Sequence, residues 1–327
     1  MTNSPLPAAP VVPAPLPSLD LTGEAPAAPS HAPLPLRIRA EQAILANPWV
    51  ERLGREAFAL SMGLTRGPHQ VAVERNIAVP MPDGVTLVAD RYAPAAPGPR
   101  PAIIMRTPYN RSGGTAIGGI FPWYFATYGY NVLLQDVRGR FASGGEYAPF
   151  IHEAEDGAAT VAWVLAQPWC DGAVGMWGAS YLGFCQWSAA ATAPPGSVKA
   201  VAPLMTSAAL MRYPENGFPL DLLARWMLQL ATMTDPTLPL GERLRRINDA
   251  ATQDRLLETA FHHLPLVTAD EAVIGHPSPH YRRMAEADRH HPNWQATNFA
   301  GQVTQCPPGD FVSGWYDLFL DGLLEDF

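Results

Sequence analysis

Val174-Gly-Met-Trp-Gly-Ala-Ser180-Tyr-Leu-Gly183 is the stretch on which the reading of this chain turns. Val174–Trp177 is short and apolar, as a buried strand is, and residues Tyr181–Ala191 have the pattern of a helix. Between them the chain must turn sharply, with small residues where a side chain would strike a neighbouring element. Such a strand–turn–helix leaves a serine hydroxyl exposed at the strand's C-terminal end. The first N–H groups of the helix then point to where an oxyanion would form. Gly178 lies two residues before Ser180, as a G-x-S-x-G nucleophile elbow requires. Leu182 occupies the second glycine position, and Gly183 follows one residue late. A serine that caps a helix after a buried strand would look the same, so the motif in its context leaves the two readings level.

Outward from this stretch the strands and helices alternate. Val71–Val79 and Val85–Tyr92 read as strands joined by the turn Pro82-Asp-Gly84, which makes a hairpin. Ala102–Met105 and Asn131–Val137 read as buried strands, Phe121–Tyr128 as a helix and Glu153–Leu165 as an amphipathic helix. Val198–Ala202 is a further strand. This rhythm predicts a mostly parallel sheet covered on both faces, with a leading antiparallel hairpin. It breaks at residue 207. Leu222, Leu223, Trp226, Met227 and Leu230 then recur at helical spacing, and residues 207–295 are expected to be a helical cap inserted in an α/β core that spans 37–206 and 296–327. Residues 38–62 read as mostly helical, with Pro48 dividing the run. Residues 1–36, with Pro5, Pro7, Pro10, Pro13, Pro15 and Pro17, are expected to be a disordered arm, because proline removes donors and fixes φ.

Composition narrows the function. Net charge is −8 at pH 7, which argues against a nucleic-acid partner, since that footprint needs clustered Lys and Arg. No apolar run approaches the ~18 residues needed to cross a bilayer, so no membrane partner is expected, and no signal peptide is read at the N-terminus. Cys170, Cys185 and Cys306 are too scattered for a disulfide framework or a metal site, and a reducing cytoplasm is the simplest compartment. His290-His291 is a weak metal pair, because adjacent helical side chains point about 100° apart. No cofactor is expected, a metal hydrolase is disfavoured by the lack of HExxH, and a homodimer is left open.

Several segments, in order, carry a family resemblance. They are Pro82-Asp-Gly-Val-Thr-Leu87 with Asp90-Arg-Tyr92, Arg106-Thr-Pro-Tyr109, Asp136-Val-Arg-Gly-Arg140 with Ser143-Gly-Gly-Glu146, and Glu155-Asp156 through Gly172-Ala-Val-Gly175 to Gly178-Ala-Ser-Tyr-Leu-Gly183. Ser313-Gly-Trp-Tyr-Asp317 completes the series. From about residue 72 to the end the chain resembles the cocaine esterase and X-prolyl dipeptidyl-peptidase group of α/β-hydrolases, the CocE/NonD type. The resemblance implies an α/β-hydrolase fold and a serine hydrolase that cleaves ester or amide bonds, X-Pro peptides among them, through an acyl-enzyme. It implies Ser180 as nucleophile, Asp317 as the acid that orients a histidine, and the Tyr109 hydroxyl and Tyr181 backbone N–H as oxyanion-hole donors.

Two departures accompany the resemblance. The segment before Asp317, Cys306-Pro-Pro-Gly-Asp310, suits a central strand poorly. In addition, the family's order is Ser, acid, His, and no histidine follows Asp317. The histidine segment and the family's C-terminal jelly roll are therefore expected to be absent here, and the chain is expected to be impaired as given. The alternative is a catalytically silent fragment that keeps the fold. The histidines of the cap region, His262, His263, His276, His280, His290 and His291, are read as cap or surface residues rather than as the base. The resemblance also implies that, in the amino-acid ester hydrolase branch of the family, acidic residues just after the acid hold a substrate's α-ammonium; here those positions are Leu318, Phe319 and Leu320, so no preference for a free α-amino group is expected.

Overall fold

The computed structural model describes residues 48–111, 119–209, 219–235, 237–286 and 297–327. The Pro-rich arm, and His290-His291 with it, lie outside the described residues. The first described element, α1 (Pro48–Ser61), begins at the proline expected to divide a longer helix. Proline suits a first helical position, where its missing N–H has no partner to lose.

Six strands form one sheet: β1 (Val71–Pro80), β2 (Thr86–Pro94), β3 (Arg100–Thr107), β4 (Asn131–Asp136), β5 (Cys170–Ala179) and β6 (Val198–Leu204). Their order is β1-β2-β4-β3-β5-β6. The β1–β2 and β2–β4 pairs are antiparallel, and β4, β3, β5 and β6 run parallel. The helices α2 (Phe121–Thr127), α3 (Glu153–Leu165) and α4 (Tyr181–Thr192) are interleaved with the strands, and this is the α/β-hydrolase arrangement.

Alternating strand residues serve opposite faces, as the two-residue period of a strand dictates. Ile104, Leu133 and Met176 pack with Val161 and Val164 of α3 and Ala189 of α4. Their neighbours Met105, Val132 and Leu134 pack with Trp123 and Ala126 of α2 and with Leu182. β4 is buried at every position, which explains its continuous apolar reading.

After β6 the described chain is helical: α5 (Leu220–Thr234), α6 (Leu240–Asn248), α7 (Ala250–Phe261), α8 (Ala269–Ile274) and α9 (Pro279–Glu286). On α5, Leu223, Met227 and Leu230 are buried, matching the periodicity that marked it. Residues 306–312 do not form a strand. They lie beside β6 through two isolated parallel bridges, Val201 to Gly309 and Leu204 to Val312. The Val201 N–H donates to the Pro308 carbonyl at 3.2 Å, so the prolines act only as acceptors. A side chain at Gly309 would fall 3.0 Å from the Val201 carbonyl oxygen, which accounts for the glycine. The last helix, α10 (Leu320–Asp326), buries Leu323 but leaves Leu324 exposed, as it does Leu318 just before it.

Candidate active site

Ser180 sits between β5 and α4 with φ 56° and ψ −120°, a backbone conformation that L residues rarely adopt. Its N–H donates to the Leu204 carbonyl at 2.8 Å, and its own carbonyl accepts from the N–H groups of Gly183 and Phe184. The turn is therefore tied to β6 and to the helix it starts. Both glycines of the motif are required by contact. Gly178 has φ +147°, and a Cβ there would lie 2.5 Å from the Leu182 Cβ. At Gly183 a Cβ would lie 2.4 Å from Thr206 Cγ2. The second glycine thus falls one residue late because Gly183 is the position that meets the chain leaving β6. Leu182 fills the α2 face of the core instead.

Tyr181 is the first residue of α4, where a backbone N–H has no intrahelical acceptor. Its side chain is 1% exposed and runs back into the core. There the hydroxyl donates to Glu153 Oε1 at 2.6 Å and accepts from the Phe150 N–H at 3.1 Å. Burial, with Glu153 adding to it, raises the Tyr181 phenol well above its ordinary pKa. The other Glu153 oxygen is 2.6 Å from Arg106 Nη1, inside a pair that excludes water. Asp156, one turn along α3, is 3.7 Å from Arg106 Nη2 and is gripped by both Nε and Nη2 of Arg138. Behind the elbow, then, charges of both signs are buried and paired, although Arg106 Nη2 makes no hydrogen bond of its own.

Tyr109 follows β3. Its N–H donates to Thr107 Oγ1 at 3.1 Å, and the preceding Pro108 carbonyl accepts from Arg140 Nε at 3.0 Å. Arg140 lies over the rings of Phe141 and Tyr147, 4.9 and 5.0 Å from their centroids. Burial raises the pKa of the Tyr109 hydroxyl, and the polar groups of Trp226 and Ser180 nearby partly offset that rise. Tyr109 is therefore a neutral hydroxyl beside Ser180.

Tyr109, Ser180 and Tyr181 meet at one cavity of about 260 Å³. The rest of its wall is Phe150, Leu222, Leu223, Arg225, Trp226, Gln229, Leu318 and Phe319. Arg225 is paired with Asp221 and Asp254, at 2.7 and 2.9 Å. The Asp317 carboxylate is not in this wall. It accepts from Ser313 Oγ at 2.5 Å and from the Phe319 N–H at 3.2 Å, both within its own turn. Among the described residues no histidine lines the cavity, and no cluster of three or more His, Cys, Asp or Glu could hold a metal. His280, a half-buried histidine of α9, lies edge-on to Tyr147 and Trp226. Burial, with Arg140 and Arg283 nearby, lowers its pKa to about 4.

The structure thus brings together three of the four site residues named from sequence. It adds Trp226, Phe150 and Glu153, which the sequence reading did not assign to a site. Trp226 carried a signal only as one apolar position of an amphipathic helix, and Glu153 only as a carboxylate in a first helical turn.

Comparison with known proteins places this geometry. The model of the X-Pro dipeptidyl-peptidase (S15) family matches residues 83–327. Cocaine esterase from Rhodococcus sp. (strain MB1 Bresler) is 34% identical over 272 residues, which are 78% of this chain and 46% of that protein. Among solved structures, an aminopeptidase from the marine sediment archaeon Thaumarchaeota archaeon aligns with a TM-score of 0.56 at 18% identity, over 79% of this chain and 46% of its own. A selenomethionine-labelled α-amino acid ester hydrolase aligns at 0.51 and 18%, over 80% and 46%. At that identity the two structures bear on the fold alone. The chain spans about half the length of the proteins it matches.

Proposed function

This chain belongs to the X-Pro dipeptidyl-peptidase (S15) family, and on that premise we propose that it carries the nucleophile and oxyanion hole of a serine hydrolase that cleaves esters or amides through an acyl-enzyme on Ser180. The observation that carries the proposal is the meeting of the strained Ser180 turn with Tyr109 and Tyr181, the first residue of α4, at one cavity. Ser180 Oγ attacks the substrate carbonyl carbon and passes its proton to a general base. The carbonyl oxygen becomes an oxyanion and takes hydrogen bonds from Tyr109 and from the Tyr181 N–H. Collapse expels the alcohol or amine, which recovers the proton, and water then releases the acyl group. In this reading Asp317 orients the base.

The wall of the cavity favours uncharged acyl groups. Among the described residues it holds no carboxylate, and Arg225, the one cation described there, is neutralised by two aspartates. A substrate with a free α-ammonium, such as the N-terminus of an X-Pro peptide, would lose its hydration without gaining an anionic partner. Ester or acyl-amide cleavage is therefore the preferred reading within the family.

The test is Tyr109→Phe. Removal of one oxyanion donor should lower kcat by roughly 10²–10³ and leave KM nearly unchanged, because the interaction is made only in the transition state. A change confined to KM would mean that Tyr109 only contacts substrate.

A further inference from the structure

Four arginines are buried among the described residues, and one of them has no carboxylate partner there. Arg106 is paired with Glu153, Arg111 with Asp90 and Asp136, and Arg138 with Asp83 and Asp156. Arg140 makes no ion pair among the described residues. Its guanidinium meets the rings of Phe141 and Tyr147 and two backbone carbonyls, that of Pro108 at 3.0 Å from Nε and that of Leu230 on α5 at 3.4 Å from Nη2. Ring faces and carbonyls return only part of the hydration that a buried cation loses, so packing alone gives no reason for a charge at this position. The carbonyls do give one. The Pro108–Tyr109 peptide is a planar unit. Its oxygen is held by Arg140, and its N–H by Thr107 Oγ1 at 3.1 Å. Thr107 is itself tied to the chain leaving β4, since its carbonyl accepts from the Val137 N–H at 3.0 Å. Both polar atoms of the plane that carries the Tyr109 Cα are therefore tethered, and from that Cα the side chain enters the Ser180 cavity.

We propose that Arg140 is a positioning residue for the oxyanion hole: it holds the peptide plane that carries Tyr109 and ties that plane to α5, the helix that supplies Leu222, Leu223, Trp226 and Gln229 to the same cavity. The inference rests on the reading of Tyr109 as an oxyanion donor. The physical reason is leverage. The phenol oxygen is the far end of the Tyr109 side chain, so a small tilt of the peptide plane moves it further than it moves the Cα. A displacement of about 1 Å is enough to cost a reacting group much of its effect, and donors held in place beforehand need no reorganisation during the reaction. Arginine suits the task because its planar fork donates in fixed directions, so one side chain sets the spacing of two carbonyls. Arg140 does not line the cavity. It therefore acts through Tyr109 and not on substrate.

The test variant is Arg140→Met, which keeps the unbranched stem and deletes the charge and every donor. It is assayed beside Arg140→Lys, Tyr109→Phe and the double variant Arg140→Met/Tyr109→Phe, on p-nitrophenyl acetate, in protein expressed from its complete reading frame. Arg140→Met should lower kcat by roughly 10- to 50-fold, short of the loss from removing the hydroxyl itself, with KM within about twofold. Its urea midpoint should not fall, because replacing a buried charge by an apolar side chain is often neutral or stabilising. Arg140→Lys should recover part of kcat, since one ammonium can still reach the Pro108 carbonyl but not fix both. In the Tyr109→Phe background Arg140→Met should cost less than about twofold, because the group it positions is gone. A loss carried undiminished into that background, a change seen in KM alone, or a midpoint that falls in step with activity in both Arg140 variants would overturn the inference and leave Arg140 a structural residue. Tyr109→Phe with unchanged kcat would be a different failure: the oxyanion reading itself would fall, and the inference with it.

Discussion

The turn that holds Ser180 and the turn that holds Asp317 are supported in opposite ways. Around Ser180 the backbone is strained, and the strain is opposed from three sides: by the Leu204 carbonyl, by close packing at Gly178 and Gly183, and by the buried Glu153–Arg106 pair behind Tyr181. Around Asp317 the carboxylate's bonds stay within the stretch from Ser313 to Phe319. The intervening Trp315 and Tyr316 are 87% and 103% exposed. The first turn is therefore dictated by the core, and the second by its own local hydrogen bonds. Strained functional geometry persists only where its surroundings over-determine it. By that rule the Ser180 turn, with Tyr109 and Tyr181 beside it, is the preorganised part of this site.

The largest expected contrast is in stability. Glu153→Ala would leave Arg106 buried without its closest partner and should cost about 3–5 kcal/mol, while Asp317→Ala should cost less than about 1 kcal/mol. Urea unfolding measures both. Equal losses would break the comparison. A smaller contrast lies in the glycines. Gly183→Ala drives a methyl group into Thr206 and should cost about 1–3 kcal/mol, with part recovered when Thr206→Ser is added. Gly314→Ala, where nothing lies within 4 Å of the new Cβ, should stay within about 0.5 kcal/mol. The subtlest contrast concerns pH. His280, behind the cavity, has its folded pKa lowered to about 4 by burial, against about 6.5 in an unfolded chain. Between those values the unfolded state binds the proton and the folded state does not, so stability falls as pH drops from 6.5 towards 4. His280→Phe should flatten the slope of unfolding free energy over that window by up to about one proton. An unchanged slope would show that His280 takes up its proton when folded.

Much of the fold was legible because its signals are local. Alternation of strands and helices predicts the parallel sheet, Pro82-Asp-Gly84 predicts the hairpin, and Gly178-x-Ser180 before a helix predicts the sharp strand-to-helix turn. The segment 306–312 read poorly as a strand, and it is indeed only two bridges beside β6. What stayed hidden depends on contacts between distant segments. The displaced glycine at 183 makes sense only once Thr206 is seen against it. Glu153 reads as an ordinary first-turn carboxylate until Tyr181, 28 residues on, donates to it. Trp226 looks like any core-facing residue of an amphipathic helix, because periodicity reports which side is buried and not what the side chain touches.

The central claim is that the Ser180 hydroxyl is the acyl-forming nucleophile. A fluorophosphonate probe incubated with the protein expressed from its complete reading frame, followed by peptide mapping, tests it most directly. The account predicts a single label on Ser180 that disappears in Ser180→Ala. A label that persists in the alanine variant, or that maps to another residue, would contradict it.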